Sequence, residues 1–423
     1  MKLSICLSAA MLATAMTAGG SNTPADSTAT STRVDPRLEV NHREDTIDYG
    51  AYPFVKLDAN RAQMNGDDWT ALAAKFAGAA AGDSILRIVY LGDSHIQADF
   101  GGDVVRQRLN RAAGNAGRGL IIPFKIAGTN QPNDYTFSTT GPTVASRLLK
   151  QPWPTDMPFT GIGVQTLDHE TTFHITVPTE ANQLRILYRG PEPEIKAVYG
   201  SDVAQAVEHS IVSASHVNID SAMTDLHMRV ACDAETTIAG VVLENGNPGV
   251  LFHSIGNNGA TYSTYNEVDR FGKELRQLSP DLVIIALGTN EAFGTFTEES
   301  LATDMDILIA DIRRYSPQAK IMLVTPTECY RKRYRWRRGR RRQAGMTVNT
   351  KVLRARNVVA EYAREHGIPL YDTYELAGGT GAAAKMKQAQ VLGRDGVHFT
   401  SAGYRLWGSL LSDALLEVLE KQP

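Results

Sequence analysis

Five residues far apart in the chain could together perform acyl transfer: Ser94, Gly256, Asn290, Asp395 and His398. A serine hydroxyl becomes a nucleophile when a base takes its proton, and the base works best when a third group orients it. His398 supplies the imidazole. Asp395, three residues earlier, can reach that ring across a turn, fix its tautomer and stabilise the imidazolium. The tetrahedral oxyanion needs donors, for which the backbone amides of Ser94 and Gly256 and the side-chain amide of Asn290 are candidates. Glycine at 256 would let backbone approach a substrate closely. Taken singly, each has an ordinary alternative as a buried histidine, a turn asparagine or a capping aspartate, so the elements carrying them decide the matter. Because the base must be neutral, activity is expected to rise with pH through the region where a free imidazole titrates, ~6.5.

Those elements alternate between strand and helix. Ile88 to Leu91 is an apolar run too short for a helix and ends at Gly92, so Ser94 falls just past the carboxyl end of a buried strand. In a parallel α/β sheet, that is where ligands bind. NGDDWTALAAKFAGAAAG, from Asn65 to Gly82, predicts an amphipathic helix before this strand, 96–113 a helix after it, and GRGLIIPF (117–124) a further short strand of βαβ type. The grammar resumes at VLFHSIGNNGAT (250–261), which ends in a turn containing Gly256. It continues through DLVIIALGTNEAF (281–293), with Asn290 past the strand, then a helix over 297–315, KIMLVTP (320–326), a helix over 349–366 and IPLYD (368–372). A final amphipathic helix follows Asp395-Gly396-Val397-His398. The reading is an α/β, doubly wound domain in two parts, 51–130 and 250–423.

Residues 131–249 read differently. TFHITV, LRILY, IKAVYG, LHMRVAC and TIAGVVLE alternate apolar with polar residues between Pro, Gly, Asn and Asp, which predicts an inserted all-β jelly-roll sandwich. Tyr135, Phe137, Trp153 and Tyr199 could stack on sugar rings, although aromatic residues in sandwiches are commonly core. The first 19 residues, with Lys2 and the run LSICLSAAMLATAM, read as a secretory signal peptide, and 20–50 as a flexible tether. No later segment is apolar enough to span a bilayer. Cys232 and Cys329 are expected as buried free thiols.

Gly92-Asp93-Ser94, Gly256, Gly288-Thr289-Asn290 and Asp395-Gly396-Val397-His398 resemble the four blocks of the SGNH (GDSL) hydrolases. The resemblance covers 84–130 and 250–420. It implies a flavodoxin-like three-layer α/β/α fold and esterase chemistry without a metal or organic cofactor. By position it gives Ser94 as nucleophile, His398 as base, Asp395 as its partner, and Gly256 and Asn290 as oxyanion donors. A narrower likeness rests on GDSHIQAD, GRGLIIPF, NNGA, GTNEAF and DGVHFTSAGY. These resemble the bacterial peptidoglycan O-acetylesterases, which imply removal of acetyl from the C6 hydroxyl of N-acetylmuramic acid and a carbohydrate-binding insert. Asp93, His95 and Glu291 read as turn and supporting residues.

One stretch departs from that pattern. Arg331 to Arg342 (RKRYRWRRGRRR) holds nine basic residues and no acidic one in a chain of net charge −3. In an exported protein it points to an anionic envelope polymer, stem-peptide carboxylates or lipid head groups rather than nucleic acid, or to a solvated loop beside the cleft. The expectation is a periplasmic or envelope-associated esterase acting on an acetylated glycan polymer, with no stable protein partner. Esterase action on another polysaccharide such as hemicellulose, acetyl transfer, and a non-catalytic glycan-binding role are the alternatives.

Overall fold

The run ending at Gly92 is an interior strand of a sheet. Ile85–Gly92 pairs in parallel with Gly249–Gly256 on one side and Leu282–Ala286 on the other. Lys320–Val324 and Leu370–Tyr371 extend the sheet. The computed structural model describes residues 47–201, 209–337 and 340–421. Among these, the parallel strands, ranked by chain position, lie in the order 2-1-3-4-5, the flavodoxin-like arrangement, whose topological switch point lies beside the first strand.

The strand is apolar throughout because both faces are covered. Leu86, Ile88 and Tyr90 pack with Leu72 and Phe76 of the Thr70–Ala80 helix and with Val105 and Leu410 of the Phe100–Ala113 and Ser401–Leu419 helices. Val89 and Leu91 turn the other way, toward Tyr265, Leu308 and Val359. The helix expected over 96–113 is broken into Ser94–Gln97 and Phe100–Ala113 by Asp99, which adopts a left-handed φ of 56°. Gly102 permits the break, since a Cβ there would lie 2.1 Å from Asp99 Oδ1.

The insertion is all-β and antiparallel, and its strands join one hydrogen-bonded network of nine. Two expected strands, TFHITV and LRILY, merge into Glu170–Arg189, with register shifts near Ala181. Phe173 and Ile175 from one half and Leu184 and Ile186 from the other meet in a single core. Tyr135 and Phe137 belong to that core, buried to 2% and 0% exposure, and have no face free for a sugar. Trp153 is partly buried against the α/β core. Tyr199 stacks on His227 at a centroid distance of 5.1 Å.

The α/β reading of 117–124 is corrected. Gly119–Ile121 pairs antiparallel with Thr237–Glu244 and so belongs to the inserted sheet, not the parallel one. Its pairing partner, distant in sequence, settles this, and a local apolar run carries no information about direction. Phe159, Val164 and Val242 of the insertion share a core with Leu91 and Ile255, so the two sheets are fused by packing.

The signal peptide expected at 1–19 and most of the tether lie outside the described residues. Ile47 and Tyr49, at the end of the tether region, are docked on the body, and the Tyr49 hydroxyl donates to Asp413. Cys232 and Cys329 are buried free thiols. The basic stretch is a two-stranded antiparallel ribbon, Tyr330–Arg337 with Arg340–Val348, rather than a loop.

Candidate active site

Ser94 opens the short helix that leaves the first parallel strand. Asp93 shapes the turn, accepting a hydrogen bond from the His95 amide at 2.9 Å. From the far end of the chain, His398 brings Nε2 to 2.8 Å from Ser94 Oγ, and its Nδ1 lies 2.6 Å from Asp395 Oδ2. A carboxylate at Nδ1 requires that nitrogen to carry the proton. Nε2 is then the acceptor, and Ser94 Oγ donates to it. Asp395 also accepts from the amides of Val397 and His398 at 2.9 and 3.0 Å through Oδ1. Burial pushes this carboxyl up, but the hydrogen bonds from His398 and the backbone outweigh it and hold its pKa below the usual range. The side chains of His398 and Asp395 are 43% and 51% exposed, so the pair opens to solvent and could meet a bulky substrate.

Gly256 ends the second parallel strand level with Gly92. A Cβ there would lie 2.1 Å from the Gln97 amide nitrogen and 2.5 Å from the Ile96 carbonyl carbon. The close approach is therefore to the helix that carries Ser94. Asn290 follows the third strand, and its Nδ2 donates to Asp93 Oδ2 at 3.1 Å and to the Ala260 carbonyl at 3.0 Å. All five candidate residues thus lie at the carboxyl edge of the parallel sheet or on the loop facing it.

The flanking residues act as supports. Burial pushes Asp93 up to about 6 against the His95 amide bond. His95 packs beside His398, ring centroids 5.2 Å apart, and burial followed by the neighbouring imidazole pushes it down to about 3. Glu291 accepts from the amides of Gly288 and Tyr262, each at 2.9 Å, which fixes the turn before Asn290.

Residues not singled out from sequence complete the rim. Gln97 donates to the Asn130 carbonyl at 2.7 Å and accepts from the Asn258 amide at 2.7 Å, tying the wall of the cleft together. It lies within the GDSHIQAD block, so a signal existed. Tyr330 had none: its amide donates to the Gly396 carbonyl at 2.8 Å, joining the basic ribbon to the Asp395–His398 loop.

Residues 234–406 match the GDSL-like Lipase/Acylhydrolase family. The chain is a carboxylic ester hydrolase that resembles the GDSL type. The matched span holds Gly256, Asn290, Asp395 and His398 but starts beyond Ser94, which lies on the other side of the insertion. Among solved structures, the chain is similar to one described as a peptidoglycan O-acetylesterase in action. That likeness has a TM-score of 0.68 and 21% identity, and covers 85% of this chain and 99% of that one. It is an agreement of fold. A lipase/acylhydrolase from Enterococcus faecalis is 25% identical over 40% of this chain and 76% of its own, with a TM-score of 0.29. No curated protein matches the chain.

Proposed function

We propose that the protein removes O-acetyl groups from a cell-wall glycan, with the C6-O-acetyl group of N-acetylmuramic acid in peptidoglycan as substrate. The observation that carries the reading is the chain of hydrogen bonds from Ser94 through His398 to Asp395, half open to solvent. Agreement of fold with a peptidoglycan O-acetylesterase over nearly all of that chain supports the choice of polymer. In this reading the curled antiparallel insertion is a jelly-roll carbohydrate-binding layer, with the Tyr199–His227 stack on its outer face. Export to the periplasm or envelope is part of the proposal and rests on residues 1–19 of the sequence.

Ser94 Oγ attacks the acetyl carbonyl carbon while its proton passes to His398 Nε2, and Asp395 steadies the imidazolium. The amides of Ser94 and Gly256 receive the oxyanion, joined by the Asn290 side chain once one of its two hydrogens leaves Asp93 or Ala260. The ester C–O bond then breaks, and the sugar oxygen leaves with the proton held by His398. Water, deprotonated by His398, attacks the acetyl-serine and releases acetate.

Acetate release from O-acetylated peptidoglycan, beside acetylated xylan, tests the assignment. The wild type is expected to act on peptidoglycan, and Ser94→Ala to lose at least about 10³-fold in kcat. Release from xylan alone would overturn the substrate, and unchanged release by Ser94→Ala would overturn the site.

A further inference from the structure

The esterase reading leaves the basic ribbon unused. Its aromatic positions all fall on one face. Side chains alternate along a strand, so Tyr330, Lys332, Tyr334 and Trp336 occupy positions on one face of the first strand, with position 341, an arginine, opposite 336 by register. Positions 331, 333, 335 and 337 fall on the other, with 342 and 340 opposite the last two by register, and all six are arginine. The side chains of Arg331, Arg333, Arg335 and Arg340 are exposed. Among the described residues none of these four meets a carboxylate, and Arg333 reaches only the Ala344 carbonyl, at 3.4 Å.

The base of the ribbon is built into the catalytic loop. Besides the Tyr330 to Gly396 hydrogen bond, a Cβ on Gly396 would sit 2.5 Å from Met346 Cε and 2.8 Å from Tyr330 Cβ. Gly396 lies between Asp395 and His398. A strand of eight residues runs ~26 Å from that anchor. Cations meant only to park a protein on a membrane need no such attachment. A fixed spacing from Ser94 serves a ligand that reaches the ribbon and the triad together.

We propose that the ribbon is a docking arm for a glycan bearing carboxylates, its arginines pairing with the carboxyl groups of short peptides hung along the polymer while an acetylated sugar lies at Ser94. The inference rests on the esterase reading for its substrate. Guanidinium suits the task because its planar fork pairs with carboxylate through two parallel hydrogen bonds.

The test separates binding from turnover. Whole protein carrying Ser94→Ala is pelleted with peptidoglycan sacculi that retain their peptides, with glycan strands stripped of peptides, and with anionic phospholipid vesicles. Retention on the peptide-bearing polymer is expected to exceed the other two and to weaken with salt. Adding Arg331→Gln, Arg333→Gln, Arg335→Gln and Arg340→Gln is expected to weaken it about tenfold, and Lys at the same four positions, which keeps the charge but not the fork, to restore only part of it. In the active enzyme the Gln set is expected to raise KM for the polymer about tenfold at constant kcat. Undiminished binding by the Gln set overturns the proposal, as does equal binding to stripped strands or preference for vesicles. A fall in kcat without a rise in KM would mark the ribbon as a support for the catalytic loop and also overturn it. If the Gln set fails to fold, the Lys set and the wild-type salt dependence still decide. Absence of acetate release from any ester would defeat the esterase reading, while the pelleting result stands by itself.

Discussion

Glu291 is a buried carboxyl whose charge is out of keeping with its surroundings. Burial pushes its carboxyl from 4.5 up to about 7, despite the amides of Tyr262 and Gly288 that favour the anion. Between those two values the folded chain holds a proton that the unfolded chain has released, so raising the pH across that interval favours unfolding. The contribution is at most about 1.4 kcal/mol per pH unit. Glu291→Gln is expected to flatten the fall in stability between pH ~4.5 and ~7, and denaturant titrations at several pH values would check it. Gly256 gives a prediction of another kind. In Gly256→Ala the methyl group meets backbone at 2.1 Å, which cannot swing aside. The Ser94 helix must move instead, and kcat/KM is expected to fall about 10²-fold with a smaller loss of Tm. The types of the five candidate residues made the site legible in the sequence. What each touches was not: the contact of Gly256 is with Ile96 and Gln97, and both Asn290 hydrogens engage Asp93 and Ala260, partners distant in the chain.

Among the elements, the break between Ser94–Gln97 and Phe100–Ala113 is held by a buried ionic cluster. Arg118, 2% exposed, pairs with Asp134 and with Asp99, the residue at the break, and Arg106 joins both carboxylates. The cluster thereby couples the first strand of the inserted sheet to the Ser94 turn. Arg118→Met leaves two buried carboxylates short of a partner and is expected to cost about 3–5 kcal/mol, measured as a shift in the denaturant midpoint. Helix and strand boundaries elsewhere were readable because punctuation marks them. Thr297 caps Glu298–Tyr315 and Thr400 caps Ser401–Leu419, each accepting a backbone hydrogen bond. The misassigned strand at 119–121 had no such mark, and the ribbon formed by the basic stretch was hidden because nothing local distinguishes an arginine strand from a solvated loop.

At the scale of the whole molecule, the two-sided burial of the parallel strands was already implied by apolar runs separated by helices, while their order came from the resemblance to the SGNH hydrolases. The inserted strands were legible too, since alternation survives in the first half of Glu170–Arg189 and in Glu194–Tyr199. Their curl onto one core depends on register shifts that periodicity cannot reveal. The insertion also bears on how the chain acquires its shape. Ile85–Gly92 is an interior strand of the catalytic sheet, yet both of its neighbours are synthesised only after residues 93–248 have emerged. Until then it has two bare edges and an apolar sequence, a state prone to mispairing. The inserted sheet can assemble in that interval, because its pairings are complete by Glu244, before the second parallel strand begins at Gly249. With contacts of such long sequence separation, closure of the catalytic sheet should be the slow step of folding. The serine is among the earlier parts of the site to be made, and one of the last to be set in place.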